Sequence, residues 1–219
     1  GTDTRGYLYN MGSHNTVLAY GRPVVPDVTF SDKWGVYRPD SPVDIFLTAE
    51  KGVYLEAHHD AYCFCRHKRK LIFHRNKGIL LEDEIMRGNR MPEAHIQRWH
   101  FMPDVSCVQI DANSIILQKG AVKVMCIWSG LPQFRFWKNS SLYPENIKSE
   151  AGLGMILDVS FSGYGQINGD LASVSQDMMM VDATEHVPNE DICKDLLMRL
   201  SFPETEKELV QILGQFEEL

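Results

Sequence analysis

The feature that most constrains this chain is a series of short runs of alternating apolar and polar residues, each closed by turn residues. Val105 to Ile110, Ser114 to Gln118 and Val122 to Trp128 follow one another, with Asp111-Ala112-Asn113 and Lys119-Gly120 between them. A strand alternates its side chains with period two, and Gly, Asn and Asp supply the backbone angles that tight reversals need. The same pattern recurs along most of the chain. Thr16 to Tyr20 ends at Gly21-Arg22-Pro23, and Val24 to Phe30 is extended but broken by Pro26. Ile45 to Thr48 and Val53 to Ala57 flank Lys51-Gly52, and Tyr62 to His74 reads as one long extended run. Asn76-Lys77-Gly78 is a hairpin signal, and His95 to Met102, Gln133 to Trp137 and Met155 to Phe161 continue the series. Many short strands with turn punctuation predict an all-β fold, an antiparallel β-sandwich of two sheets.

The last part of the chain has a different period. Ile192, Leu196, Leu197 and Leu200 are spaced for a helix, as are Leu209, Ile212, Leu213 and Phe216. Ser201, with Glu204 three residues on, reads as the cap of the second helix. The predicted organisation is therefore a β-sandwich over residues 1–185 and a short α-helical C-terminal tail over 186–219, packed on it.

Composition narrows the function classes. With 219 residues, 44% of them apolar, the chain can build one large β domain or two small ones. No run reaches the roughly 18 apolar residues of a membrane helix, so no membrane span is expected. Gly1-Thr2-Asp3-Thr4-Arg5 is not a signal peptide. A formal charge of −7 argues against nucleic acid as a partner. The five cysteines are odd in number and form no C-x2-C pair, which indicates neither a disulfide framework nor a zinc knuckle. Cys63 and Cys65 share a strand face and read as small buried apolar residues.

Phosphate loops, G-x-S-x-G elbows and H-E-x-x-H helices are missing. What remains are histidines gathered next to β-rich sequence. His14 stands in Ser13-His14-Asn15-Thr16-Val17. His58 and His59 stand in Glu56-Ala57-His58-His59-Asp60-Ala61-Tyr62, which reads as lying just ahead of a strand. Imidazole can bind a metal, neutralise a carboxylate or move a proton, and tyrosine can share the last task. The basic run Arg66-His67-Lys68-Arg69-Lys70 reads first as a solvated strand end and second as a place for an anionic ligand. Asp83 and Glu84 read as a solvated acid pair at a strand end.

Arg5 to Val17, an Arg-x-Tyr-x-Tyr-x-x-x-Ser-His-Asn-Thr-Val stretch, resembles the segment before a strand in heparinase II/III-like polysaccharide lyases. Further matches follow in order. Phe30-Ser31-Asp32-Lys33-Trp34-Gly35 resembles an aromatic-x-x-x-Trp-Gly stretch. Ala57-His58-His59-Asp60-Ala61-Tyr62, then His67-Lys68-Arg69, then Leu81-Glu82-Asp83 resemble a His-Asp-Gly-Tyr, His-x-Arg and Val-x-Asp series. Ser141-Leu142-Tyr143-Pro144-Glu145 resembles a Ser-x-x-Tyr-Gly turn, and the resemblance covers roughly residues 1–165.

The resemblance implies a lyase that joins an N-terminal helical toroid to this sandwich and cleaves uronate-containing, acidic polysaccharide by β-elimination, in the periplasm or outside the cell. His58, His59, Tyr62 and Arg66 become the candidate substrate-binding residues. The family's catalytic histidine sits in a His-x-His-x-Asp motif upstream of His-Asn-Thr. The second histidine and the aspartate of that motif, together with the histidine of His-Asn-Thr, can hold a structural zinc. His14 is the matching metal ligand here. Gly1-Thr2 resembles the end of the following Asp-x-Gly-Thr stretch, so the chain is expected to start after those residues. The expectation is no catalytic residue, no zinc held by these 219 residues alone, and no turnover by them alone. The alternatives are a non-catalytic carbohydrate-binding or interaction module and a structural accessory domain.

Overall fold

The computed structural model describes residues 15–19, 42–62, 65–88, 95–109, 111–137, 154–161, 167–168, 171–199 and 201–219. Thirteen strands and two helices lie among them. The strands are β1 (Thr16–Leu18), β2 (Val43–Ala49), β3 (Gly52–Tyr62), β4 (Cys65–His74), β5 (Gly78–Gly88), β6 (His95–His100) and β7 (Ser106–Gln109). They continue as β8 (Ser114–Lys119), β9 (Val122–Trp128), β10 (Gln133–Trp137), β11 (Ile156–Phe161), β12 (Ile167–Asn168) and β13 (Leu171–Asp182). The helices are α1 (Glu190–Arg199) and α2 (Glu206–Phe216).

Two antiparallel sheets result. The larger runs β2-β3-β4-β5-β13-β9-β8-β7, with β12 paired to β13, and the smaller runs β1-β6-β11-β10. Alternation sends each strand of the larger sheet to two faces. On one face Tyr54, Ile72, Leu80, Met179 and Ile127 line up across neighbouring strands and pack against the helices through Leu196, Leu197, Leu209, Leu213 and Phe216. On the other face Leu81, Met178 and Trp128 meet Trp99, Leu157 and Val159 of the smaller sheet. The larger sheet is thus the middle of three layers. That is why consecutive residues such as Cys126, Ile127 and Trp128 are all buried.

Glycine is required where strands come closest. A Cβ on Gly78 (φ +151°) would sit 1.9 Å from the Met180 carbonyl oxygen, so only glycine lets β5 start beside β13.

Five expectations change. Tyr62 to His74 is not one run: β3 ends at Tyr62 and β4 begins at Cys65, so the chain reverses there. His58 and His59 accordingly lie within β3 rather than ahead of a strand. The first two hairpin strands are longer than read, because Val43 and Asp44 extend one and His58 to Tyr62 the other. The second helix is capped by Thr205, whose side chain accepts from the Glu208 amide, and not by Ser201. In the first helix Cys193 takes the buried place expected of Ile192, which is 48% exposed. Val24 to Phe30, Phe30 to Gly35 and Ser141 to Glu145 lie outside the described residues.

Candidate functional site

The chain reversal between β3 and β4 creates a cross-strand register that decides the site. His59 stands opposite His67, Ala57 opposite Arg69, and Arg69 opposite Asp83 on β5. All of these point to the face that meets the smaller sheet. There His59 Nε2 lies 3.0 Å from His67 Nδ1, with the rings edge to face at 86°. His67 Nε2 lies 2.7 Å from Asp83 Oδ1.

Asp83 is 0% exposed and saturated. Its Oδ1 also accepts from Arg69 Nε at 2.7 Å, and its Oδ2 accepts from Arg69 Nη2 and from Gln97 Nε2, each at 2.8 Å. Gln97 comes from β6 of the smaller sheet and in turn accepts from Trp128 Nε1 at 3.0 Å. Arg69 reaches the other way too: its Nη1 donates to the Asn15 carbonyl at 2.9 Å, and its guanidinium lies 5.7 Å from the Trp99 ring centre. Asn15 accepts the His100 amide at 2.6 Å through its side chain. Burial pushes the Asp83 carboxyl up, but Arg69 and His67 beside it prevail and hold it well below the usual carboxylate range.

The basic run is therefore not a solvated strand end. It is the middle strand β4, and its cations are paired: Lys68 with Glu56 at 2.7 Å, Arg69 with Asp83, and Lys70 with Glu82 at 2.6 Å. Asp83 is not a solvated acid but the buried acceptor on which two sheets converge. The four candidate substrate-binding residues divide. His59 joins the network between the sheets. His58 and Arg66 share the opposite face, where His58 Nδ1 donates to Asp44 at 2.7 Å and Arg66 is exposed. Tyr62 ends β3, and the pairing register shifts between it and His59. His14 lies outside the described residues.

A second polar cluster occupies that opposite face. Glu56, Lys70, Glu82 and Asp177 form one row across four strands. Burial and the neighbouring Glu82 raise the Asp177 carboxyl to about 6. Tyr54 donates to Glu56 at 2.6 Å, and burial together with that carboxylate pushes its hydroxyl up.

Among the described residues no group of three or more His, Cys, Asp or Glu side chains could hold a metal ion. The His59–His67–Asp83 line does not fit zinc, because its nitrogens face one another and four donors occupy both Asp83 oxygens. No described helix is long and apolar enough to cross a membrane.

Sequence reasoning found His59, His67, Arg69 and Asp83 as motif letters but missed Gln97 and Trp128. Neither stands in a motif, and only the stacking of the two sheets brings them in.

Two packed antiparallel sheets joined by a buried His-Arg-Asp network define the class, a β-sandwich with a polar centre between its layers. The chain belongs to the heparinase II/III-like C-terminal family, whose model matches residues 1–152. The heparan sulfate lyase HepC of Pedobacter heparinus shares the fold at a TM-score of 0.59 and 11% identity, over 84% of this chain and 26% of that one. A heparinase III structure matches at a TM-score of 0.57 and 9% identity, again over 84% and 26%. The chain thus spans about a quarter of the length of these enzymes. No curated protein matches it.

Proposed function

We propose that this chain is the C-terminal β-sandwich part of a polysaccharide lyase that cuts uronate-containing, acidic polysaccharide by β-elimination. One observation carries the reading. Asn15, His59, His67, Arg69 and Asp83, scattered through four separate motif stretches, meet in a single hydrogen-bonded network. A network of that kind fixes side chains in place beside a site far better than it stabilises a sheet, since apolar packing serves stability as well. His59 at its outer end, next to the register shift of β3, is the side chain best placed to meet a sugar. His58, Tyr62 and Arg66 are proposed as further contacts.

The relatives HepC and heparinase III are about four times as long as the matched part. A further helical domain is proposed to supply the remaining acid–base groups and sugar subsites. A zinc shared with His14 belongs to that larger protein, which is proposed to act in the periplasm or outside the cell.

The test is ultraviolet absorbance of the new double bond after incubation with heparan sulfate, alginate or hyaluronan. The full open reading frame that carries this chain is expected to produce it, and the 219 residues alone are not. Turnover by the 219 residues alone would overturn the division of labour. No product from the full reading frame on any of the three would overturn the lyase reading. The alternative, a carbohydrate-binding module, would show retention on polysaccharide without product. The paired state of Lys68, Arg69 and Lys70 weighs against it, because little of the basic run is left to meet a polyanion.

A further inference from the structure

On the face of the smaller sheet turned away from the larger one, a guanidinium is denied the acid it stands opposite. Arg135 on β10 pairs in register with Asp158 on β11, and Asp158 with Arg98 on β6. Asp158 is only 3% exposed, and both its oxygens are taken. Arg98 Nε donates to Oδ1 and Arg98 Nη2 to Oδ2, each at 2.7 Å, and Trp137 Nε1 donates to Oδ2 at 2.8 Å. Arg135 lies instead over the Trp137 indole, its central carbon 3.8 Å from the ring centre. The buried Arg98–Asp158 pair thus fixes the ring, and the ring fixes the guanidinium. Arg135 itself is exposed and meets no carboxylate among the described residues.

The same strand face leads into a cleft. Gln133 stands two residues before Arg135, about 7 Å along the strand, and is exposed. It also lines a cleft of about 340 Å³ between the β9–β10 turn and β13. Ser129, Ser160, Ser175 and Gln176 bring hydroxyls and an amide to its wall, and Phe161 brings an apolar surface. Gln176 is 4% exposed. Its Nε2 donates to the Ser129 carbonyl at 2.8 Å, and to Ser129 Oγ and the Asp177 carbonyl at 3.0 Å. Two carbonyls around one end of the amide identify that end as the nitrogen. Oε1 accepts from no described group, which leaves it to the cleft that Gln176 lines.

We propose that the cleft and Arg135 together form a binding subsite for acidic sugar. Hydroxyls of one sugar unit meet Gln176 and the serines, and a carboxylate or sulfate on the chain pairs with the stacked guanidinium. This rests on the polysaccharide reading above and names a place where this chain grips the polymer. A guanidinium held on a ring keeps its planar fork of N–H groups pre-organised for two oxygens of one anion. A chain of formal charge −7 repels a polyanion at long range, so the contact needs a cation that no acid has claimed. Lys68, Arg69 and Lys70 do not qualify, being paired with Glu56, Asp83 and Glu82. Gln176 stands in register opposite Asp83, so the subsite lies one strand away from the His-Asp network.

Titration calorimetry of the 219-residue chain tests this without turnover. The probes are tetrasaccharides of heparan sulfate, hyaluronan and alginate, with cellotetraose as the neutral control. An acidic tetrasaccharide is expected to bind about tenfold more tightly than cellotetraose. Arg135→Ala, at an exposed position, should abolish that preference and melt like wild type. Arg135→Lys keeps the charge but not the fork, and should recover only part of it. Ser175→Tyr, also at an exposed position, fills the cleft and should weaken acidic and neutral sugars alike. Lys119→Ala, on the larger sheet, should change nothing. Absence of binding by all three acidic probes overturns the subsite, as does an Arg135→Ala chain that still prefers them. Equal losses in Lys119→Ala and Arg135→Ala show diffuse charge attraction and overturn it too. Failure of binding while the full reading frame still makes unsaturated product removes the subsite and leaves the lyase. Binding with no product from the full reading frame does the reverse.

Discussion

Asp83 is the residue on which most depends. Four donors converge on it, and removing the carboxylate leaves the buried His67 and the partly buried Arg69 without their shared acceptor. Asp83→Ala is expected to cost about 3–5 kcal/mol, measured by chemical denaturation. The direction with pH follows from its depressed native pKa. Its stabilisation is fully present above the ordinary carboxylate value and is lost only as pH falls through the native one. Asp177 behaves in the opposite sense. Its native value of about 6 lies above its ordinary 3.8, so the folded protein holds this proton more tightly and loses stability as pH rises from about 4 to 6. Its Oδ1 is buried beside the Glu82 carboxylate. Asp177→Asn should therefore melt higher than wild type at pH 7, and the difference should vanish near pH 4. A constant difference at both pH values would show that its ionisation is not the cause. Asp83 was legible as a motif letter but not as a buried one. An acid beside Glu84 looks solvated until the chain reversal after Tyr62 is known, and residues 62–65 carry no Gly, Asn or Pro to announce it.

At the level of elements, strand existence was plain wherever polar and apolar residues alternate, as in β8 and β9. Strand length was not. Ala57 to Tyr62 looks polar enough for a loop, yet each polar side chain described there has a partner on β2 or β4. Helical spacing placed Leu209, Ile212, Leu213 and Phe216 correctly, because a stripe on one face has no other use in a short amphipathic helix. The cap was missed because Ser201-Phe202-Pro203-Glu204 and Thr205-Glu206-Lys207-Glu208 both fit the capping spacing. Phe202 decides between them by stacking on Tyr54 at 5.8 Å, which holds the chain extended until Thr205. Thr205→Ala should cost about 1 kcal/mol and Ser201→Ala close to nothing, by thermal or urea unfolding. Equal losses would return the cap to Ser201.

For the whole molecule, the question is whether the helices are an appendage or a layer. They cover Tyr54, Ile72, Leu80, Met125 and Met179, none more than 2% exposed, on the face of the larger sheet opposite the His-Asp network. The last residues also close over the β3–β5 hairpins. His74 lies 3.0 Å from Glu217 through Nε2 and stacks on Phe216 at 5.8 Å, and Lys51 donates to Glu217 at 3.0 Å. β3 and β4, clamped there at one end, carry His59 and His67 at the other. Each large apolar side chain uncovered forfeits about 1.5–3 kcal/mol, and five of them exceed much of the stability of an ordinary domain. Residues 1–185 expressed alone should consequently bind a hydrophobic dye, lose the cooperative melt and broaden the His59 and His67 NMR signals. Leu213→Ala within the intact chain is the milder version, with an expected loss of about 2–5 kcal/mol. A soluble 1–185 chain that melts cooperatively, within about 1 kcal/mol of the full chain, would show that the sheet needs no cover on that face and that the helices merely rest on it.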